Sequence, residues 1–270
     1  MLNSIYFKIY LLELRKGLSY RSHFWVNYFG TTFISFIIFY YLWKNIFEHN
    51  QVKIIGGMTF DQMIVYSLLS PIIFRIIQGT QIGFISTDIY DGGLSKYIIY
   101  PINIYLYKFS SYLAQSTFYL IQFFLVLIIY EIYSKTHGIS SNFEVINIIL
   151  ASVFLLFSSL AYYSLAAILE LVSFWAENIW SLGVMLRMIA ALLGGALIPL
   201  SLLSENFYEI VQLTPFPYLV YYPLKLVLGE IAIGEISKGL LVLSSWTLAF
   251  IFIYHRVWIR GQKVYTGVGM

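Results

Sequence analysis

Four histidines, His23, His49, His137 and His255, are the side chains best suited to proton transfer or metal binding, and their spacing suits neither task. They fall on different loops and segment ends, without metal-ligand spacing, and no Ser/His/Asp set can be assembled around them. Cysteine is absent, which removes disulfides, thiolate metal sites and thiol nucleophiles. Gly92-Gly93 is not a phosphate loop, because no Lys-Ser/Thr pair follows it, and that pattern occurs nowhere else in the chain. The expectation is a non-enzymatic chain with no metal and no cofactor of its own. What chemistry remains is electrostatic and mechanical. Arg75 and Arg187 lie within long apolar runs, where an arginine costs about 2.5–3.5 kcal/mol at a helix centre on insertion scales. Each therefore needs a carboxylate or carbonyl partner, an exit to the headgroups, or a place on an inner vestibule that meets an anionic group. The second feature is the segment 91–101 with the residues that lead into it, in which Asp88, Asp91, Gly92 and Gly93 form a turn. Leu94, Ser95, Lys96, Tyr97 and Ile98 then begin about two helical turns, and Pro101, which lacks an N–H and clashes with the preceding turn, ends them. A chain without a nucleotide motif takes its energy from a partner, and a short stiff segment of this kind is where a partner can push.

The elements that must position these residues are set by composition. Hydrophobic residues make up 60% of the 270, charged residues only 11%, and mean hydropathy is +0.78. Soluble domains carry roughly 25% charged residues, so this is an integral membrane protein. Runs near the ~20 residues needed to cross a bilayer occur at about 24–43, 62–83, 109–130, 145–169, 179–203 and 239–259. The expectation is an all-α fold with six transmembrane helices over 23–260, a loop at 84–108 and a tail at 261–270. Residues 1–22 alternate apolar side chains with Lys8, Glu13, Arg15 and Lys16, and predict an amphipathic helix along the inner membrane surface. A net charge of +3, not bunched into a patch, gives no nucleic-acid footprint. Most lysines and arginines fall on one side if the N-terminus is cytosolic, which places both termini in the cytosol.

Between the fifth and sixth runs the chain stays apolar but is broken by Pro199, Pro215, Pro217 and Pro223. The reading is a re-entrant helical hairpin over 204–230 that dips into the outer leaflet without crossing. The small residues Ala190, Ala191, Gly194, Gly195 and Ala196 permit close helix approach, within the subunit or between subunits.

The order of these features resembles the permease subunit of type-2 ABC exporters, within the bacterial branch of ABC-2 permeases. The residues that carry the likeness are Gly-Leu-Ser-x-Tyr-Ile-Ile-x-Pro at 93–101, Ile198-Pro199-Leu200, Leu213-Thr214-Pro215-Phe216-Pro217-Tyr218, Tyr222-Pro223, Gly229, and the basic Trp258-Ile259-Arg260-Gly261. The resemblance implies a half-transporter in the bacterial inner membrane. It would pair with a second permease, the same or different, and with cytosolic ABC ATPase subunits that hold ATP and Mg. It further implies ATPase coupling through Asp91, Gly92, Leu94, Ser95, Lys96, Tyr97, Ile98 and Pro101. A second cytosolic contact would fall at Glu170 and Glu177, and an outer gate at Pro199, Leu213, Pro215, Phe216, Pro217 and Pro223. Low charge and many aromatics favour an amphiphilic cargo. A secondary transporter and a non-transporting membrane scaffold are the other classes, although the spans hold no midplane Asp or Glu for ion coupling.

Overall fold

A computed structural model describes residues 2–19, 21–79, 83–100, 102–137, 143–231 and 233–267. The chain is helical almost throughout. Two long helices, α1 (Leu2–Ser19) and α2 (Arg21–Asn50), lead into a two-residue-per-strand hairpin, β1 (Ile54–Ile55) with β2 (Met58–Thr59). Its turn uses Gly56 and Gly57, both at positive φ, a conformation that costs glycine nothing. Thr59 then starts α3 (Phe60–Gln78) with a reciprocal cap: its hydroxyl accepts from the Gln62 N–H, and its own N–H donates to Gln62 Oε1 at 2.9 Å.

Helices α3, α6 (Ile104–His137), α7 (Val145–Glu170) and α11 (Ile233–Gln262) form the body of the bundle. Helix α3 is the most enclosed: it packs against α2, α6 and α7 and buries Met63, Tyr66, Leu69, Ile72, Ile73 and Ile76. Helix α7 runs against α11, and α1 lies lengthwise on the first half of α6, with the Tyr10 hydroxyl 2.9 Å from Thr117 Oγ1. A second, smaller apolar cluster closes the end of the bundle that holds Ile85, Leu94, Tyr112, Tyr163, Phe174 and Tyr254.

The expected six spans are corrected here. Among the described residues four helical stretches are long and apolar enough to cross a membrane: Phe60–Gln78, Ile104–Thr136, Val145–Phe174 and Gly234–Gln262. The run at 24–43 lies in α2, which is not among these four. The run at 179–203 fails for a backbone reason. Helix α8 (Trp180–Leu193) has 14 residues, about 21 Å at 1.5 Å per residue, against a hydrocarbon core of about 30 Å. It stops at Gly194-Gly195, where Gly195 takes φ +79° and its carbonyl accepts the Tyr66 hydroxyl at 2.5 Å. The Ser70 hydroxyl donates to the next carbonyl, Ala196, at 3.2 Å. The break is thus pinned from α3, and a side chain at Gly195 would crowd the Tyr66 hydroxyl, Leu200 and Tyr221.

No re-entrant hairpin is formed either. Segment 204–230 is a series of short pieces: α9 (Glu205–Val211), a 3-10 turn (Phe216–Tyr218) and α10 (Tyr221–Val227). Pro215 and Pro217 keep the chain between α9 and α10 from continuing as one helix, Pro223 sits in the first turn of α10, and α10 packs its buried side against α7 and α3. The Ser158 hydroxyl of α7 donates to the Tyr218 carbonyl at 2.8 Å.

Candidate functional site

The segment after α3 is built from the inside outward. At its start the Glu170 carboxylate, only 3% exposed at the end of α7, accepts three backbone N–H groups. Gly83 donates to Oε1 at 2.6 Å, and Ile85 and Ser86 donate to Oε2 at 3.3 and 2.9 Å. These bonds fix the first turn of α4 (Ser86–Tyr90), where no local side chain caps the helix. From α4 the Tyr90 hydroxyl reaches across to the Ala176 carbonyl at 3.1 Å, so the 171–179 turn is tied to the same platform.

The chain then reverses at Gly92, φ +71°, and Leu94 drops into the second apolar cluster with no exposure at all. Its N–H donates to the Asp88 carbonyl at 2.7 Å. The Asp88 side chain holds two lysines, Lys96 at 3.2 Å and Lys108 from α6. Tyr97 lies beneath both amines, with Lys96 Nζ 4.8 Å from its ring centroid, and its ring sits 5.1 Å from that of Tyr107. Partial burial, with Asp88 nearby, raises the Tyr97 phenol well above its ordinary range. On this base α5 (Ser95–Ile99) presents Ile98 (50% exposed), Ile99 (79%) and Tyr100 (62%) outward.

Both ends of the chain arrive at this platform. The Asn103 N–H donates to the Tyr6 hydroxyl of α1 at 3.1 Å, and the Ser95 hydroxyl lies 3.2 Å from the Tyr265 hydroxyl just beyond α11. The rings of Phe174 and Trp258 lie 6.0 Å apart and close the gap between the 171–174 turn and α11.

Of the residues singled out in the sequence, Asp91, Lys96 and Ile98 are exposed on this segment, Gly92, Ser95 and Tyr97 are half-buried in it, and Leu94 is buried beneath them. Pro101 lies outside the described residues. Glu177 is exposed on the neighbouring turn, whereas Glu170 is spent holding the loop. Its role has no sequence signal, since its partners lie more than 80 positions away. Arg75, in the last turn of α3, lies 5.8 Å from the Tyr119 ring centroid, and Arg187 is exposed on α8.

At the opposite end of the bundle Pro199 opens a 3-10 turn (Leu200–Leu202). Leu213 is exposed, and its carbonyl accepts the Trp246 indole N–H at 2.9 Å. Phe216 is half-buried, and Pro215, Pro217 and Pro223 are buried. Here Glu230 accepts from Gln62 Nε2 at 3.2 Å and pairs with Lys225 at 3.8 Å. Burial raises its carboxyl above the ordinary 4.5, with Lys225 opposing. The proton-bound form is the one favoured by folding, so the contribution of this group is fully present below pH 4.5 and is lost as pH rises through the raised value. Hydrogen exchange of 225–230, corrected for intrinsic rates, should therefore be slower at pH 4.5 than at pH 7, and Glu230→Gln should remove the difference. A difference that survives in the variant would assign it to another group.

A protein-family model described as "ABC-2 family transporter protein" matches residues 29–269, nearly the whole chain. No curated protein and no solved structure matches it.

Proposed function

We propose, from the premise that this chain belongs to the ABC-2 transporter family and is a non-catalytic, multi-pass membrane permease, that it works as half of an ATP-driven exporter. Two permeases, identical or different, pair in a bacterial inner membrane, and a cytosolic ATPase that binds ATP and Mg docks on each. The docking face is the platform around Asp91, Ser95, Lys96, Tyr97 and Ile98, with Glu177 at its rim. Arg75 and Arg187 flank the route taken by an amphiphilic cargo, and the residues from Pro199 to Pro223 cap it.

The observation that carries this reading is the contrast within one short segment. Ile98, Ile99 and Tyr100 are exposed, yet the base beneath them is fixed by Glu170, Asp88 and buried Leu94. An exposed apolar knob on a rigid base suits a contact that must transmit force, because a loose loop would absorb the motion instead. The convergence of Tyr6 and Tyr265 on the same end supports a cytosolic location for both termini and the platform together.

Purification of the tagged permease in mild detergent tests the reading. A cytosolic subunit bearing Walker motifs should co-purify at one copy per permease, and nucleotide hydrolysis in the complex should respond to cargo. A permease that recovers no such subunit from cells expressing its neighbouring genes would sink the proposal.

A further inference from the structure

A groove between α2, α3 and α6 stands apart from the docking platform. It has two chambers that share the walls Phe36, Leu68, Val126 and Ile129. The chamber at the N-terminal end of α3 holds about 460 Å³ and is bordered by Tyr40, Phe60, Tyr130, Tyr133 and one carboxylate, Asp61. The second holds about 440 Å³ and is almost wholly apolar, reaching Phe33 and the Gln122–Thr32 hydrogen bond of 2.7 Å. Each falls within the few hundred Å³ common to small-molecule sites. Phe33 and Ile129, more than half exposed, leave the side of the groove open.

The carboxylate in the first chamber, in the first turn of α3, has no cationic side chain beside it among the described residues. Among the described residues Asp61 forms no ion pair, while Lys135, on the neighbouring stretch of α6, is closed on Glu131 at 3.1 Å. The aromatic walls pack on one another, with Tyr40 and Phe60 rings edge-on at 6.0 Å and Phe36 6.1 Å from Tyr40. A carboxylate beside tyrosine faces attracts an ammonium group through both charge and ring quadrupoles. The same carboxylate repels a phosphate or sulfate. The adjoining apolar chamber suits a hydrocarbon tail.

We infer that this groove binds a cationic amphiphile, its ammonium head between Asp61 and the tyrosines and its alkyl chain along Phe36, Leu68 and Val126. Its service as cargo rests on the exporter reading, but its binding does not.

Photolabelling of the purified permease in phosphatidylcholine liposomes, whose surface carries no net charge to favour either probe, without ATPase or nucleotide, tests the site. The probes are hexadecyltrimethylammonium and hexadecyl sulfate, each with a diazirine at the tail end. The ammonium probe should mark the 30–36 and 122–129 walls about tenfold more than the sulfate. Asp61→Asn should bring the two probes level, Asp61→Glu should restore the preference, and Leu68→Trp, which fills the shared wall, should abolish both. Equal labelling by both probes in the unaltered protein, or a preference that survives Asp61→Asn, would overturn the assignment. So would copy-to-copy crosslinking through Phe33→Cys and Ile129→Cys, since a second permease would then occupy the groove. A permease that shows the expected labelling yet engages no ATPase refutes the exporter reading and leaves this one standing.

Discussion

Glu170→Ala should free the segment 83–100 from α7 while leaving the helical bundle folded. The substitution strands three buried or part-buried N–H groups, those of Gly83, Ile85 and Ser86. An unsatisfied buried donor costs about 1–3 kcal/mol, so a total near 3 kcal/mol is expected, on the order of a hundredfold in local opening. Hydrogen exchange across 83–100 should accelerate by that factor in lipid nanodiscs, with α7 protection unchanged as far as Leu169. Glu170→Gln keeps one acceptor oxygen but turns an amide NH₂ toward the remaining N–H groups, so its effect should be intermediate. Stimulation of the partner ATPase should fall with the loop's order, in the sequence Glu, Gln, Ala. Unchanged exchange over 83–100 in the alanine variant would show that the loop is held by its apolar contacts alone.

Glu170 also marks where reading the sequence stops. The turn at Asp91-Gly92-Gly93 and a short helix after it are local chemistry, and the structure has both, although Asp88 belongs to α4 and not to the turn, and the helix is five residues and not two full turns. The charge-free run of α7 was equally plain. Burial of Leu94 was not, because a leucine in a five-residue helix gives no sign of which way it faces until α6, α7 and α11 enclose it. The Gly194-Gly195 pair was visible as a small-residue run that permits close approach. Its use as a helix stop depends on Tyr66 and Ser70, more than 120 positions away. Apolar length alone therefore turned a 14-residue helix and its irregular continuation into a span. The cap at Thr59 and Gln62, by contrast, is a Thr-x-x-Gln pattern before an apolar run, and it could have fixed the start of α3 from the sequence.

The sharpest functional consequence lies at the tip of the platform. Ile99 is 79% exposed and makes little contribution to the fold, so Ile99→Asp should leave the permease as stable and as abundant as before. Fully burying an isoleucine against a partner is worth about 1.5–3 kcal/mol, and an aspartate there forfeits this and adds a charge that must be desolvated. The loss in ATPase affinity should exceed tenfold, and cargo-dependent hydrolysis should disappear. Leu94→Asp is the necessary contrast. Leu94 has no exposure and belongs to the same buried cluster as Ile85 and Ile89, so a charge there should unfold the platform itself. Both variants should lose coupling, but only Leu94→Asp should lower the melting temperature and loosen exchange over 83–100. If Ile99→Asp and Tyr100→Asp retain full ATPase stimulation while Leu94→Asp does not, the exposed tip is not the contact. The partner would then have to rest on the rim formed by Asp91 and Glu177.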